Sequence, residues 1–278
     1  TPELDLLYSD EDKLDETGTR FGPHFKPGWD PDRVIRQNYI CHFAVLRTAL
    51  VRRLGGLRIG LEGAQDHDLV LRVSEIVPVE RIRHIPRILY HWRAIEGSTA
   101  TGLAAKPYAA QAGDRAASDH LMRTGTGARV WSDRHGRRVI YHLPVKPPRV
   151  TAIIPTRDRV ELLRQTVEGL LLRTDYPNIE VIIVDNGSTA SETERYLSDL
   201  SADPRVAVLN HPGPFNFSAM MNRAAAMRSV GEARPDTGQD ILLFLNNDVE
   251  PVQDRTWLRE LVSQAVRPDV GAVGAMLL

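Results

Sequence analysis

Six short polar clusters in this sequence carry residue types that could do chemistry. Asp10-Glu11-Asp12 follows the apolar run LDLLY, and its two aspartates, two residues apart, share one side of an extended segment. A hard divalent cation, Mg²⁺ or Mn²⁺, suits such oxygen ligands and can bridge a diphosphate. A solvated turn has the same composition. Asn246-Asn247-Asp248 directly follows ILLFL, where Asn and Asp also favour simple turns. Asp66-His67-Asp68 opens a helix after a glycine-containing loop. Either acid could cap that helix, or take a proton from an attacking hydroxyl. Thr156-Arg157-Asp158 and Asp185-Asn186-Gly187-Ser188 each close an apolar run. His84 to Arg93 gathers two histidines and two arginines, and Arg93 could grip a phosphate through two N–H groups.

The elements that must position these clusters are clearest in the second half. Residues 150–155 (VTAIIP), 179–184, 206–209 and 241–245 read as buried strands, alternating with helical patterns after 158, at 192–200 and from 216 to 227. Asp158 with Glu161 reads as a cap and its reciprocal partner on the helix that follows. Strand–helix alternation predicts an α/β fold with a Rossmann-like βαβ parallel sheet. Ligands of such sheets sit beyond the carboxyl ends of the strands. Thr156–Asp158, Asp185–Ser188 and Asn246–Asp248 all fall there, which makes one site of three clusters.

The first half reads as mixed α/β. Strands are expected at 4–8, 38–47, 81–85 and 88–92, and helices at 48–54, 66–76 and 103–123. Alternation over the fourth strand puts Tyr90 and Trp92 on one face and His91 with Arg93 on the other. A hairpin is expected over 130–141, turning at Arg134-His135-Gly136. The proline-rich stretch 144–149 reads as a linker between residues 1–143 and 150–278.

Composition narrows the function classes. Apolar residues make up 42 %, charged residues 26 %, and the formal net charge is −1. No global field therefore attracts nucleic acid. The single Cys41 excludes an internal disulfide and reads as a buried strand residue in a reducing compartment. No apolar run approaches the roughly 20 residues of a membrane span, so no integral membrane segment is expected.

Together the motifs resemble glycosyltransferase family 2, whose nucleotide-sugar-binding fold is called GT-A. VTAIIPTRDR, VIIVDNGS and ILLFLNNDVEP are similar to the N-terminal part of that fold. YSDEDKLD, EGAQDHDL and IRHIPRILYHWR are similar to its C-terminal part. The resemblance implies a nucleoside-diphosphate sugar bound by Pro155, Thr156, Arg157, Asp158, Asp185, Asn186, Gly187, Ser188, Asn246, Asn247 and Arg93. It implies a divalent cation, Mg²⁺ or Mn²⁺, at Asp10, Asp12, Asp248 and His84. It places the general base at Asp66, with Asp68 as second choice, because Gln65 stands where the family usually has Glu.

Two metal motifs in one chain, with the halves in reversed order, lead us to expect an excerpt of a tandem enzyme rather than a circular permutant. Its implied partners are the nucleotide sugar and a saccharide or lipid-linked saccharide acceptor. Its implied setting is surface-polysaccharide synthesis in the cytoplasm, with peripheral attachment at the inner face of the plasma membrane left open. A non-catalytic sugar-nucleotide-binding module is the competing expectation, supported by Gln65 and Asn246 standing where acids are usual.

Overall fold

A computed structural model describes residues 3–94, 107–133, 136–227, 240–250 and 254–275. The chain divides into two compact units, Thr1–Tyr141 and His142–Leu278.

The first unit comprises β1 (Leu6–Leu14), β2 (Arg20–His24), α1 (Pro31–Arg36), β3 (Ala44–Leu46), α2 (Thr48–Arg53), α3 (Gln65–Ser74), β4 (Ile82–Arg93), α4 (Pro107–Arg123), β5 (Arg129–Asp133) and β6 (Gly136–Ile140). β1 is its central strand. One edge pairs antiparallel with β3 over Leu6–Tyr8 and with β2 over Glu11–Leu14; the other runs parallel to β4 along its whole length. Leu6 and Tyr8 are fully buried against Val34 and Ile35 of α1, Leu71 and Val73 of α3, and Ala116, Ala117 and Leu121 of α4. Each of the leucines, valines and isoleucine among them contributes about 1.5–3 kcal/mol by leaving water.

Four expectations are corrected here. The first strand does not stop at Tyr8 but runs to Leu14, because Asp10, Glu11 and Asp12 each find polar partners within the fold and can stay buried. The segment 38–47 is strand only at Ala44–Leu46. Its start is a loop held by side chains: Tyr39 Oη accepts from the Asp30 N–H, and the Cys41 thiol donates to the Asn38 carbonyl. Cys41 is accordingly a half-buried loop residue. Two short strands prove to be one, β4. Its extra residues are absorbed by register shifts, with Ser9 opposite Ile85, Asp10 opposite Ile88 and Glu11 opposite Tyr90. Residues 31–36, for which no element was expected, form α1, which Asp30 caps by accepting from the Asp32 and Arg33 N–H groups. The hairpin β5–β6 is present with Asp133 opposite Gly136; its expected turn residues 134–135 and helix residues 103–106 lie outside the described residues.

The second unit comprises β7 (Val150–Thr156), α5 (Val160–Arg173), β8 (Ile179–Asp185), α6 (Ser191–Leu200), β9 (Val206–Asn210), α7 (Phe217–Met227), β10 (Ile241–Phe244) and α8 (Trp257–Ala265). The four strands are all parallel in the order β10-β7-β8-β9, the expected α/β arrangement. Alternation sends Ile153, Ile182 and Val184 to one face, under Met220, Met221 and Ala224 of α7. Ala152, Ile154, Val181 and Ile183 face the other way, against Leu163 and Leu170 of α5, Leu197 of α6 and Leu258 and Val262 of α8. Both faces being covered explains the continuous apolar runs of β7 and β8. The chain moves outward from β7 to β9 and then crosses back to place β10 beside β7. The crevice at that reversal, beyond the strand ends, is where open parallel sheets hold ligands.

Candidate active site

In the second unit the polar clusters meet at the carboxyl ends of β7, β8 and β10. Thr156 lies directly opposite Asp185 in the β7–β8 register, and the Asn186 N–H donates to the Thr156 carbonyl at 2.9 Å. From beyond β10, Asn247 Nδ2 donates to Thr156 Oγ1 at 3.3 Å. Asp185 Oδ1 accepts from the Ser188 N–H at 3.0 Å and from its hydroxyl at 2.5 Å, closing the tight turn in which Gly187 takes φ +78°. Asn186 donates to the carbonyls of His211 and Gly213, while its own Oδ1 is buried and has no hydrogen-bond partner among the described residues. Pro155 is half-buried beneath this group, and Arg157, Asn246 and Asp248 are exposed at its rim.

Asp158 does not cap its own helix, as the sequence suggested. It sits at φ +56°, followed by Arg159 at φ +56°, and α5 starts without a side-chain cap. Its Oδ1 instead accepts from the Thr189 and Ala190 N–H groups, both at 2.9 Å, at the start of α6. Those two bonds hold its carboxyl below the usual range. Its own N–H donates to Ser188 Oγ at 2.8 Å. Asp158 therefore ties the β7 end to the β8 end.

In the first unit, all three acids of the Asp10-Glu11-Asp12 cluster lie within β1 rather than beyond it. Asp10 Oδ1 accepts from the Lys26 N–H at 2.9 Å and pairs with His84 Nε2 at 2.7 Å. Asp12 bonds Arg20 Nε at 2.5 Å and His91 Nδ1. Desolvation would raise the Asp12 carboxyl, but hydrogen bonds from His91 and Arg20 outweigh it and hold the carboxyl low. His91 and Arg20 are partners that the sequence reading did not assign. The signal for His91 was its place two residues before Arg93, on the face expected of a site residue. Arg93 itself is exposed at the end of β4.

By type the two carboxylates fit a hard divalent cation, whereas the two imidazoles on the adjacent strand suit softer metals and here pair with the carboxylates instead. Among the described residues, however, no three His, Cys, Asp or Glu side chains converge to hold a metal ion. Mg²⁺ is commonly held by one or two carboxylates together with substrate phosphates, and the Asp10/Asp12 pair fits that mode rather than an all-protein cage.

The two aspartates that start α3 are placed differently. Asp66 is exposed; its Oδ2 accepts from Asn38 Nδ2 at 3.0 Å. Asp68 is fully buried, with Arg58 Nη2 at 2.6 Å and Arg72 Nε at 2.8 Å. Such a carboxylate is committed to fixing two guanidinium groups and is out of reach of a substrate hydroxyl. Gln65 Oε1 accepts from the Gly63 N–H at 2.7 Å, shaping the turn before the helix. Burial, with the charges of Glu11 and Asp66 adding to it, pushes the Cys41 thiol up to about 12, which removes it as a nucleophile.

Residues 151–277 match the family model described as Glycosyl transferase family 2. The chain is 47 % identical over its whole length to the O-antigen biosynthesis protein RfbC of Myxococcus xanthus, of which it covers 21 %. It is 44 % identical over 99 % of its length to the uncharacterized protein y4gI of Sinorhizobium fredii, of which it covers 30 %. The chain thus spans less than a third of either curated relative. Among solved structures, the mannosyltransferase PcManGT from Pyrobaculum calidifontis, in complex with GDP-Man and Mn²⁺, aligns at 24 % identity. That alignment covers 48 % of this chain and 36 % of that one, with a TM-score of 0.37. S. aureus TarS (residues 1–349) aligns at 18 % identity over 42 % and 32 %, with a TM-score of 0.34. No helix among the described residues is long and apolar enough to cross a membrane.

Proposed function

We propose, for a chain whose residues 151–277 form a glycosyl transferase family 2 domain, that its longer parent moves a sugar from a nucleoside-diphosphate sugar to a saccharide hydroxyl. The setting is cell-surface polysaccharide synthesis at the cytoplasmic side of the membrane, on a saccharide or lipid-linked saccharide acceptor. The observation that carries this reading is the junction of Thr156, Asp185 and Asn247 at the strand-order reversal of the second sheet. There Asn186 Oδ1, buried and without a hydrogen-bond partner among the described residues, would accept from a ligand N–H or O–H.

On this reading the two units are the end of one such domain and the start of the next. Pro155 to Asp158, Asp185 to Ser188, Asn246 and Asn247 surround the nucleotide, and Arg93 holds phosphate in the first domain. Asp10 and Asp12, with His84 and His91 beside them, would hold Mg²⁺ or Mn²⁺, and Asp248 is the corresponding acid of the second unit. Bound there, the cation would offset charge on the diphosphate leaving group. Asp66, exposed at the start of α3, takes the proton of the acceptor hydroxyl, giving single displacement with inversion. Asn38 holds that carboxylate in place.

Calorimetric titration of UDP, GDP and dTDP into this chain, with and without Mn²⁺, tests the donor site. Metal-dependent micromolar binding, weakened by Asn247→Ala, is the expected result; no binding to folded protein overturns the assignment for the second unit. A non-catalytic module, favoured by Gln65 in its turn-shaping role, would bind donor while the parent released no nucleotide from it.

A further inference from the structure

We propose that the face of the first sheet opposite Asp10 and Asp12 is a saccharide subsite, built around Glu11 and taking a neutral pyranose of the acceptor. Its assignment to the acceptor rests on the glycosyl-transfer reading; its chemistry does not.

Alternation along β1 turns Glu11 and Lys13 away from the aspartate face. Residues directly opposed on neighbouring strands share a face. The register therefore sets His24 and Tyr90 on either side of Glu11, and Phe21 and Trp92 on either side of Lys13. His42 lies over them, stacked on Tyr90 at 5.6 Å and 17° and packed on Trp92 at 3.9 Å between ring centres. Phe21 is 45 % exposed at the edge of this surface. Aromatic surface with one well-placed polar group is the usual composition of a small-molecule site. A pyranose offers its match, an apolar C–H face with a rim of hydroxyl donors.

The polar group is Glu11, only 7 % exposed. Its Oε2 accepts from the His42 N–H at 2.8 Å, His42 Nδ1 at 3.0 Å and Lys26 Nζ at 3.4 Å. Its Oε1 is approached, among the described residues, by His24 Nδ1 at 3.7 Å, beyond hydrogen-bond reach. One carboxylate oxygen is thus left to accept from a sugar hydroxyl. A carboxylate also repels phosphate, which selects a neutral sugar over the nucleotide.

The loop 38–42 links this surface to the proposed base. Asn38 at one end bonds Asp66, and His42 at the other bonds Glu11. A sugar held over Glu11 therefore lies beside the loop that orients the base, while Asp10 and Asp12 remain on the other face for the diphosphate.

Saturation-transfer NMR on the whole 278-residue chain tests this, with methyl glycosides of glucose, galactose, mannose and rhamnose as probes. At least one should receive saturation. Glu11→Gln should weaken it about tenfold or more, the loss expected of a hydrogen bond to a charged acceptor. Trp92→Ala and the surface variant Phe21→Ala, which spares the core, should weaken it as well, and UDP with Mn²⁺ should not displace it. No transfer to any glycoside from folded chain, transfer unchanged in all three variants, or displacement by UDP would each overturn the subsite. A chain that binds glycosides although its parent transfers no sugar keeps the subsite and removes the enzymatic reading; the reverse outcome removes the subsite alone.

Discussion

Asp66 and Asp68 stand two residues apart at the start of one helix, yet the first is exposed beside Asn38 and the second is sealed between Arg58 and Arg72. Helical geometry turns them through roughly 200°, so only one can face an acceptor. Asp66→Asn in the longer parent should lower turnover on the order of 10²–10⁴-fold with donor affinity kept. Turnover at the parental rate would remove Asp66 as the base.

Asp68→Asn should act on stability instead. Removing one partner of a buried ion pair costs about 3–5 kcal/mol. Urea denaturation monitored in the first unit should register that loss, whereas Asp66→Asn should change it by less than about 1 kcal/mol.

His67, next to both, gives a pH dependence. Its Nε2–H donates to the Val34 carbonyl at 2.6 Å, and burial lowers its pKa from 6.5 to about 4. The unfolded chain therefore holds the extra proton between those values. Stability from this group is fully present above pH 6.5 and is lost as pH falls through 4, by about 3 kcal/mol in all. His67→Gln should flatten that part of the profile, and an unchanged slope would assign it to other groups.

Asp158 predicts a different separation. Asp158→Ala removes the acceptor for the Thr189 and Ala190 N–H groups, and should cost the second unit about 0.5–2 kcal/mol. Asp158→Asn keeps both an acceptor oxygen and a tolerance for positive φ, and should stay near the parent. Amide exchange at Thr189 and Ala190 should quicken in the alanine variant alone.

Gly187→Ala isolates backbone strain from crowding. At φ +78° a side chain costs about 1–2 kcal/mol, while the nearest atom to an added Cβ would be Pro212 Cα at 3.8 Å, an ordinary contact. The expected loss is therefore modest and local, and should appear in the thermal midpoint of the second unit.

The second unit was largely legible in the sequence because its central strands β7 and β8 are covered on both faces and each reads as one apolar run. The helix at 257–265 was not assigned, and the role of Asp158 was misread because its bonds reach 31 and 32 residues along the chain. In the first unit the polar clusters were legible and the strand that carries one of them was not. Asp10, Glu11 and Asp12 look like a strand's end because charged residues are rarely buried, and their partners Lys26, His42, His84 and His91 come from three other segments. Pairing over 15 to 79 residues leaves no local pattern to read. His91 escaped for that reason, whereas Asp66 and Asp68 were found together and only their burial tells them apart.

The irregular pairing of β1 with β4 has a consequence for how this segment tolerates change. Between Ser9 and Glu11 the partner strand advances by five residues while β1 advances by two. A strand reverses its sides at every residue, so the odd surplus of three fixes which half of β4 meets which side of β1. Loss of a single residue between Ile85 and Tyr90 would hand His91 to the Glu11 side and Trp92 to the aspartate side. Every residue type would survive and the two surfaces would be scrambled. Length changes in this stretch should therefore be far more damaging than substitutions, however conservative the residues that remain.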